Sequence, residues 1–200
     1  MDTNAFDVVK QFEQKVSEYT GAPYAIAMDC CSNALFLCCY YLKINEVTIP
    51  ANTYVSVPCS VIHAGGRVKF KPYNETWKGI YYLEPYPIVD AAKRFTKDMY
   101  IPGTYMCLSF HGKKILNIGR GGMILTDDKK AMEWFKMARF DGRHEVSLND
   151  DYFEIIGWNF YMTPEQAARG LQLMMYLPEY NEDMPIEQYN DLSKYSIFQG

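Results

Sequence analysis

The chain has 200 residues, enough for a core of its own, with the 48% hydrophobic and 22% charged residues of a globular protein. A net charge of −4 with no basic stripe argues against a nucleic-acid-binding surface. No apolar run approaches membrane-spanning length, and the opening MDTNAFDVVKQFEQ lacks the basic start and apolar centre of a signal peptide, so a cytoplasmic protein without membrane contacts is expected.

Residues 4–19 place Phe6, Val9, Phe12, Val16 and Tyr19 at helical spacing, with Gly21 as a stop. YAIAMD reads as a short buried strand. It leads into CCSNALFLCCYYLK, a helix apolar nearly all round that Ser32 can cap. EVTIP is a second strand. Thr53 can cap the helix YVSVPCSVIHA, which closes on Gly65–Gly66, and its interior Pro58 predicts a kink or a late start. RVKFKPY is a third strand, followed by the loosely organised ETWKGIYYLEPY. PIVDAA, YMCLSF and GGMILTDD read as further strands, and KKAMEWFKMARFDG as a helix. The last helix, TPEQAARGLQLMMYL, opens on a capping box of Thr163 and Gln166. Beyond Pro178 the chain looks irregular and polar. Strands alternating with helices predict an α/β layered fold.

The six cysteines, Cys30, Cys31, Cys38, Cys39, Cys59 and Cys107, form no C-x-x-C pair, and the three histidines stand off metal-ligand spacing. Free thiols and no metal site are expected. The 17 tyrosines offer rings that stack on a planar ligand, pair with a phosphate or line an interface.

Four places put a polar group or a glycine just past a strand end, where open α/β sheets bind ligands. In DCCSNAL, the backbone of Cys31 and Ser32, the Ser32 hydroxyl and the helix dipole can hold a phosphate. In ANTYVS, Tyr54 can lie flat on a planar ligand, and in PIVDAAKRF, Asp90 can face a protonated ring nitrogen. In SFHGKKILNIGRGG, a lysine desolvated at a strand end can form a Schiff base. Each place alone has an ordinary structural use: a helix cap, a core aromatic, a salt bridge, a solvated lysine. Together they match what pyridoxal 5'-phosphate requires, namely an anion cradle, an aromatic lid, an acid at the pyridine nitrogen and a Schiff-base lysine.

The same motifs resemble the fold-type-I, pyridoxal-phosphate-dependent sugar aminotransferases of the DegT/StrS family. The family's F-S-F-x-x-x-K segment, with G-E-G-G five residues on, resembles SFHGKK and GRGG, so Lys114 rather than Lys113 matches the lysine. S-G-T-x-A-L resembles CCSNAL, P-x-x-T-aromatic resembles PANTY, and D-A-A-Q resembles DAAK. G-x-N-x-R-M followed by Q-A-A resembles GWNFYMTPEQAA. The resemblance covers residues 6–178 and implies a reduced version of the large domain of these enzymes, with a three-layer, mostly parallel sheet. It implies that residues 1–200 form one cofactor-binding domain, with the family's C-terminal small domain absent.

The resemblance also assigns roles. Cys31 and Ser32, helped by Ser109, would hold the cofactor phosphate; Tyr54 would stack on the ring and Asp90 would pair with its nitrogen. Lys114 would bind the cofactor covalently and shuttle the proton, while Asn159 would reach the phosphate of a neighbouring subunit in a homodimer. Lys93 replaces the family's glutamine beside the phenolic oxygen, Arg120 the glutamate of G-E-G-G, and Tyr161 the arginine of the asparagine motif. The implied activity is transfer of an amino group, with glutamate as donor, to a keto group of a nucleotide-linked sugar. The alternative is a catalytically impaired relic acting as a binding or scaffold protein. GRGG is not a Rossmann fingerprint, because no G-x-G-x-x-G opens a helix after a first strand.

Overall fold

Strands covered by helices on both faces read as unbroken apolar runs, and three segments of this chain do. In a computed structural model, which describes residues 4–74 and 76–198, they form β1 (Tyr24–Met28), β6 (Tyr105–Ser109) and β7 (Gly122–Thr126). Alternation divides each between two cores. Ile26, Met28, Tyr105, Cys107 and Ile124 face one; Ala25, Ala27, Met106, Leu108, Met123 and Leu125 face the other. The first core is closed by α2 (Cys31–Tyr41), α3 (Ser56–His63) and α4 (Lys129–Ala138). The second is closed by α1 (Asp7–Thr20) and α5 (Pro164–Met174). The three layers expected from the sequence are present.

The sheet is mixed rather than mostly parallel. Five strands run in the order β1-β7-β6-β5-β4, where β4 is Tyr81–Tyr82 and β5 is Ile88–Asp90. Only β5 and β6 pair in parallel; β1–β7, β6–β7 and β4–β5 are antiparallel. The reason is local. A parallel return needs a crossover of a dozen or more residues, usually a helix. Residues 83–87 are too few for one, and residues 110–121 contain no helix. A separate parallel pair, β2 (Glu46–Pro50) with β3 (Arg67–Lys71), joins this sheet through the Thr48–Glu84 bridge. Strand β4 lies in the stretch that reads as loosely organised, whose Glu75 is outside the described residues.

Two helix starts differ from expectation. Ser32 lies inside the first turn of α2, whose N-cap is Cys30, and Thr53 precedes α3, whose N-cap is Val55. Neither Cys30 nor Val55 makes a side-chain cap bond. The late start of α3 puts Pro58 in its first turn, where a missing N–H costs nothing. The Thr163–Gln166 capping box forms in both directions, and Asp128 caps α4 by accepting from Ala131 N at 3.1 Å. No helix among the described residues is long and apolar enough to cross a membrane.

Candidate active site

The strand ends converge on a cavity of about 570 Å³ between the N-terminus of α2 and the C-terminal ends of β5 and β6. Seven of the eight residues singled out in the sequence line it: Cys31, Ser32, Tyr54, Asp90, Lys93, Ser109 and Lys114. Asn159 lies elsewhere. Its backbone bridges Phe140 and its amide donates to Asp141 Oδ2 at 3.2 Å.

The cradle is set by close packing. A side chain on Gly122 would put its Cβ 2.4 Å from the carbonyl carbon of Cys30 and 2.5 Å from Cys31 N, so only glycine lets β7 run this close beneath α2. The first-turn residues Cys31 and Ser32 of α2, whose N–H groups have no helical acceptors, line the cavity. Ser32 Oγ donates to Ser56 Oγ at 2.8 Å, which draws the start of α3 to the same wall. Burial pushes the Cys31 thiol well above its ordinary range, and its Sγ donates to Cys107 O at 3.6 Å. The thiol is therefore wall rather than nucleophile. Ser109 is half-buried, and its Oγ accepts from His111 N at 3.4 Å.

Asp90 is 6% exposed. Its carboxylate accepts from Tyr81 OH at 2.7 Å and from Ala92 N at 2.9 Å, and Tyr81 in turn bonds the Thr53 hydroxyl. Burial nevertheless holds the carboxyl above its ordinary pKa, so a cation placed against it would relieve a real cost.

Lys114 and Lys93 have opposite surroundings. Among the described residues no group accepts a hydrogen bond from the Lys114 ammonium. Burial first, and the like charge of Lys93 second, push its pKa below the ordinary lysine value. Neighbouring Lys113 is exposed at the rim. The Lys93 side chain is 3% exposed; its ammonium donates to Pro185 O at 2.8 Å and Glu187 Oε1 at 3.4 Å, and stands 5.6 Å from the Tyr189 ring centroid. Arg120, also on the wall, is paired with Asp29 at 2.9 Å.

The pattern search missed Tyr81, Glu187 and Tyr189. Tyr81 could have been found from the E-P-Y-P turn between IYY and PIVD, a hairpin signal. Glu187 and Tyr189 belong to the polar segment beyond Pro178, which crosses the cavity mouth. Arg94 forks onto Asp183 at 2.8 and 2.6 Å, Met184 N donates to Lys93 O, Tyr189 packs edge-on to Tyr54 at 5.9 Å, and Leu192 N donates to Ala51 O. Nothing local in that stretch signals a partner.

These residues fit pyridoxal phosphate. An unpaired amine with a depressed pKa faces the same cavity as a buried carboxylate, below a helix N-terminus able to take an anion.

A model of the DegT/DnrJ/EryC1/StrS aminotransferase family matches residues 3–78 and 100–186. GDP-perosamine synthase of Caulobacter vibrioides is 26% identical over 86% of this chain and 57% of its own length. Spore coat polysaccharide biosynthesis protein SpsC of Bacillus subtilis is 24% identical over 86% of this chain and 57% of its own. Among solved structures, Helicobacter pylori PseC, an aminotransferase of pseudoaminic acid biosynthesis, superposes with a TM-score of 0.70 at 16% identity, covering 89% of this chain and 64% of that one. A DegT DnrJ EryC1 StrS aminotransferase from Brucella abortus gives 0.70 at 21% identity, covering 85% and 58%. The α/β fold is thus the one these aminotransferases share, and the chain spans little more than half the length of the relatives it matches.

Proposed function

The chain belongs to the DegT/DnrJ/EryC1/StrS aminotransferase family, and from that premise we propose that it is a pyridoxal-phosphate-dependent aminotransferase acting on a nucleotide-linked sugar. Glutamate is the donor in this reading, and the acceptor is a keto group of the sugar. The observation that carries it is Lys114: an amine with no acceptor among the described residues, depressed by burial, in one cavity with Asp90. A structural lysine would be paired or solvated.

Each residue then has a task. The α2 N-terminus at Cys31 and Ser32, with Ser109, would hold the phosphate. Tyr54 would cover one face of the ring. Asp90, held by Tyr81 and the Ala92 amide, would keep the ring nitrogen protonated. Lys93 keeps one ammonium donor beyond those given to Pro185 and Glu187, and that donor would serve the phenolic oxygen. Asn159, outside this cavity, would reach the phosphate of a second copy in a cytoplasmic homodimer. When bound, the cofactor supplies the electron sink that makes a substrate Cα–H acidic. Lys114 would be the general base that takes that proton and returns it. Residues 1–200 form a single cofactor-binding domain in this reading.

The test is spectroscopic. Wild-type protein mixed with pyridoxal phosphate is expected to gain a visible absorption band, and borohydride is expected to fix the cofactor on the peptide bearing Lys114. Lys114→Ala removes both. Glutamate is expected to bleach the wild-type band; a band that forms but resists glutamate would favour the non-catalytic binder. Absence of any band would overturn the reading.

A further inference from the structure

Lys93 and Lys114 place two ammonium groups in one cavity, and the fold supplies acceptors to only one of them. Lys93, in the turn after β5, is clamped by a segment distant in the chain: Pro185 O lies 2.8 Å from its Nζ and Glu187 Oε1 3.4 Å. That segment is itself anchored, by the Arg94–Asp183 fork, by Met184 N on Lys93 O, and by Tyr73 OH on Tyr189 O at 2.9 Å. In a partly desolvated space a neighbouring like charge disfavours the charged form of an ammonium that has no acceptor of its own.

We propose that Lys93 is a positioning residue for Lys114: clamped by Pro185 and Glu187, its ammonium is a fixed second cation that biases the Lys114 amine toward its neutral, nucleophilic form. This inference rests on the reading of Lys114 as the reactive amine. The groups acting on Lys114 are Lys93, which lowers its pKa along with burial, and Asp90 of β5, Cys31 of α2 and Glu187 of the crossing segment, which raise it. Lys93 and Glu187 therefore form an opposed pair. The carboxylate that fixes Lys93 also partly cancels it, so exchanging either residue shifts Lys114 in a direction set in advance.

The experiment uses the full chain without added cofactor and an acetylating reagent, which attacks only neutral amines. Acetylation at Lys114 is followed by peptide mass spectrometry from neutral to alkaline pH, with the exposed Lys69 as internal reference. Lys93→Gln is expected to slow Lys114 acetylation about three- to tenfold near neutral pH, the size of one like-charge interaction in a partly screened site. Glu187→Gln is expected to speed it. The Glu187 side chain is 46% exposed, so this variant keeps its fold; should Lys93→Gln not fold, Lys93→Met takes its place with the same slowing expected. An unchanged or faster rate in Lys93→Gln, or a slower rate in Glu187→Gln, would overturn the proposal. A protein that reacts as expected here but never gains the visible band would instead overturn the cofactor reading.

Discussion

Arg139 is buried and Lys114 half-buried, and the chain treats these two basic groups oppositely. Arg139 is 4% exposed, and both terminal nitrogens of its guanidinium are hydrogen-bonded. It bonds the Glu13 carboxylate, donates to Ala27 O at 2.7 Å, and reaches Glu145 Oε1 at 3.1 Å. Glu13 also accepts from Ala27 N at 2.8 Å, so one ion pair ties α1, β1 and the end of α4 together. Lys114 has charged neighbours but no acceptor among the described residues. The fold completes the network around one cation and not around the other.

The contrast can be broken most directly at Arg139. Arg139→Met leaves Glu13 and Glu145 without their guanidinium, and the expected cost is about 3–5 kcal/mol in urea denaturation. A loss under about 1 kcal/mol would erase the distinction. Asp90→Asn sharpens it in the other direction. The amide can take the Ala92 N–H and donate to the Tyr81 hydroxyl while removing a buried charge. The expected gain is about 1 kcal/mol, or about 2–4 °C in Tm, and under the proposed function the glutamate half-reaction is lost. The sign with pH follows from the raised folded pKa. The folded state holds this proton more tightly than the unfolded chain, so wild-type stability falls as pH climbs from the ordinary 3.8 through the folded value, and the advantage of Asn grows across that window.

The smallest effect is expected at Lys114 itself. Lys114→Met should change stability by less than about 1 kcal/mol, in the stabilising direction at neutral pH, because no ion pair is lost. With the folded pKa lowered, protonating the amine costs stability below that value. The cost fades as pH rises toward the ordinary 10.5, where wild type and variant should converge. Thermal denaturation of both proteins against pH reads this out, and a destabilised Met variant would show that Lys114 is a structural cation after all.

Much of the fold was legible because its strongest signals are local. YMCLSF and GGMILT read as strands from their unbroken apolar runs, and Thr163 and Gln166 declared a helix start that forms as written. Seven of the eight expected site residues share one cavity because strand ends converge in an α/β sheet whatever the pairing directions. What escaped depends on distance. Ser32 and Thr53 look like caps, but backbone geometry placed the N-caps at Cys30 and Val55. The reversal of strand direction goes with connections that are short, between β4 and β5, or without a helix, between β6 and β7. Glu187 and Tyr189 acquire a role only through Lys93 and Tyr54, more than ninety residues earlier in the chain.

The segment from Asp183 to Leu192 contains no α-helix or strand, and it is tied to the body at Ala51, Tyr73, Lys93 and Arg94. It can come loose while the sheet and both cores stay intact, which makes it the natural place for partial opening detected by amide hydrogen exchange. Folding would therefore complete the central body first and finish the mouth of the cavity afterwards. A single proteolytic nick there would leave a well-ordered molecule with an unfinished active site.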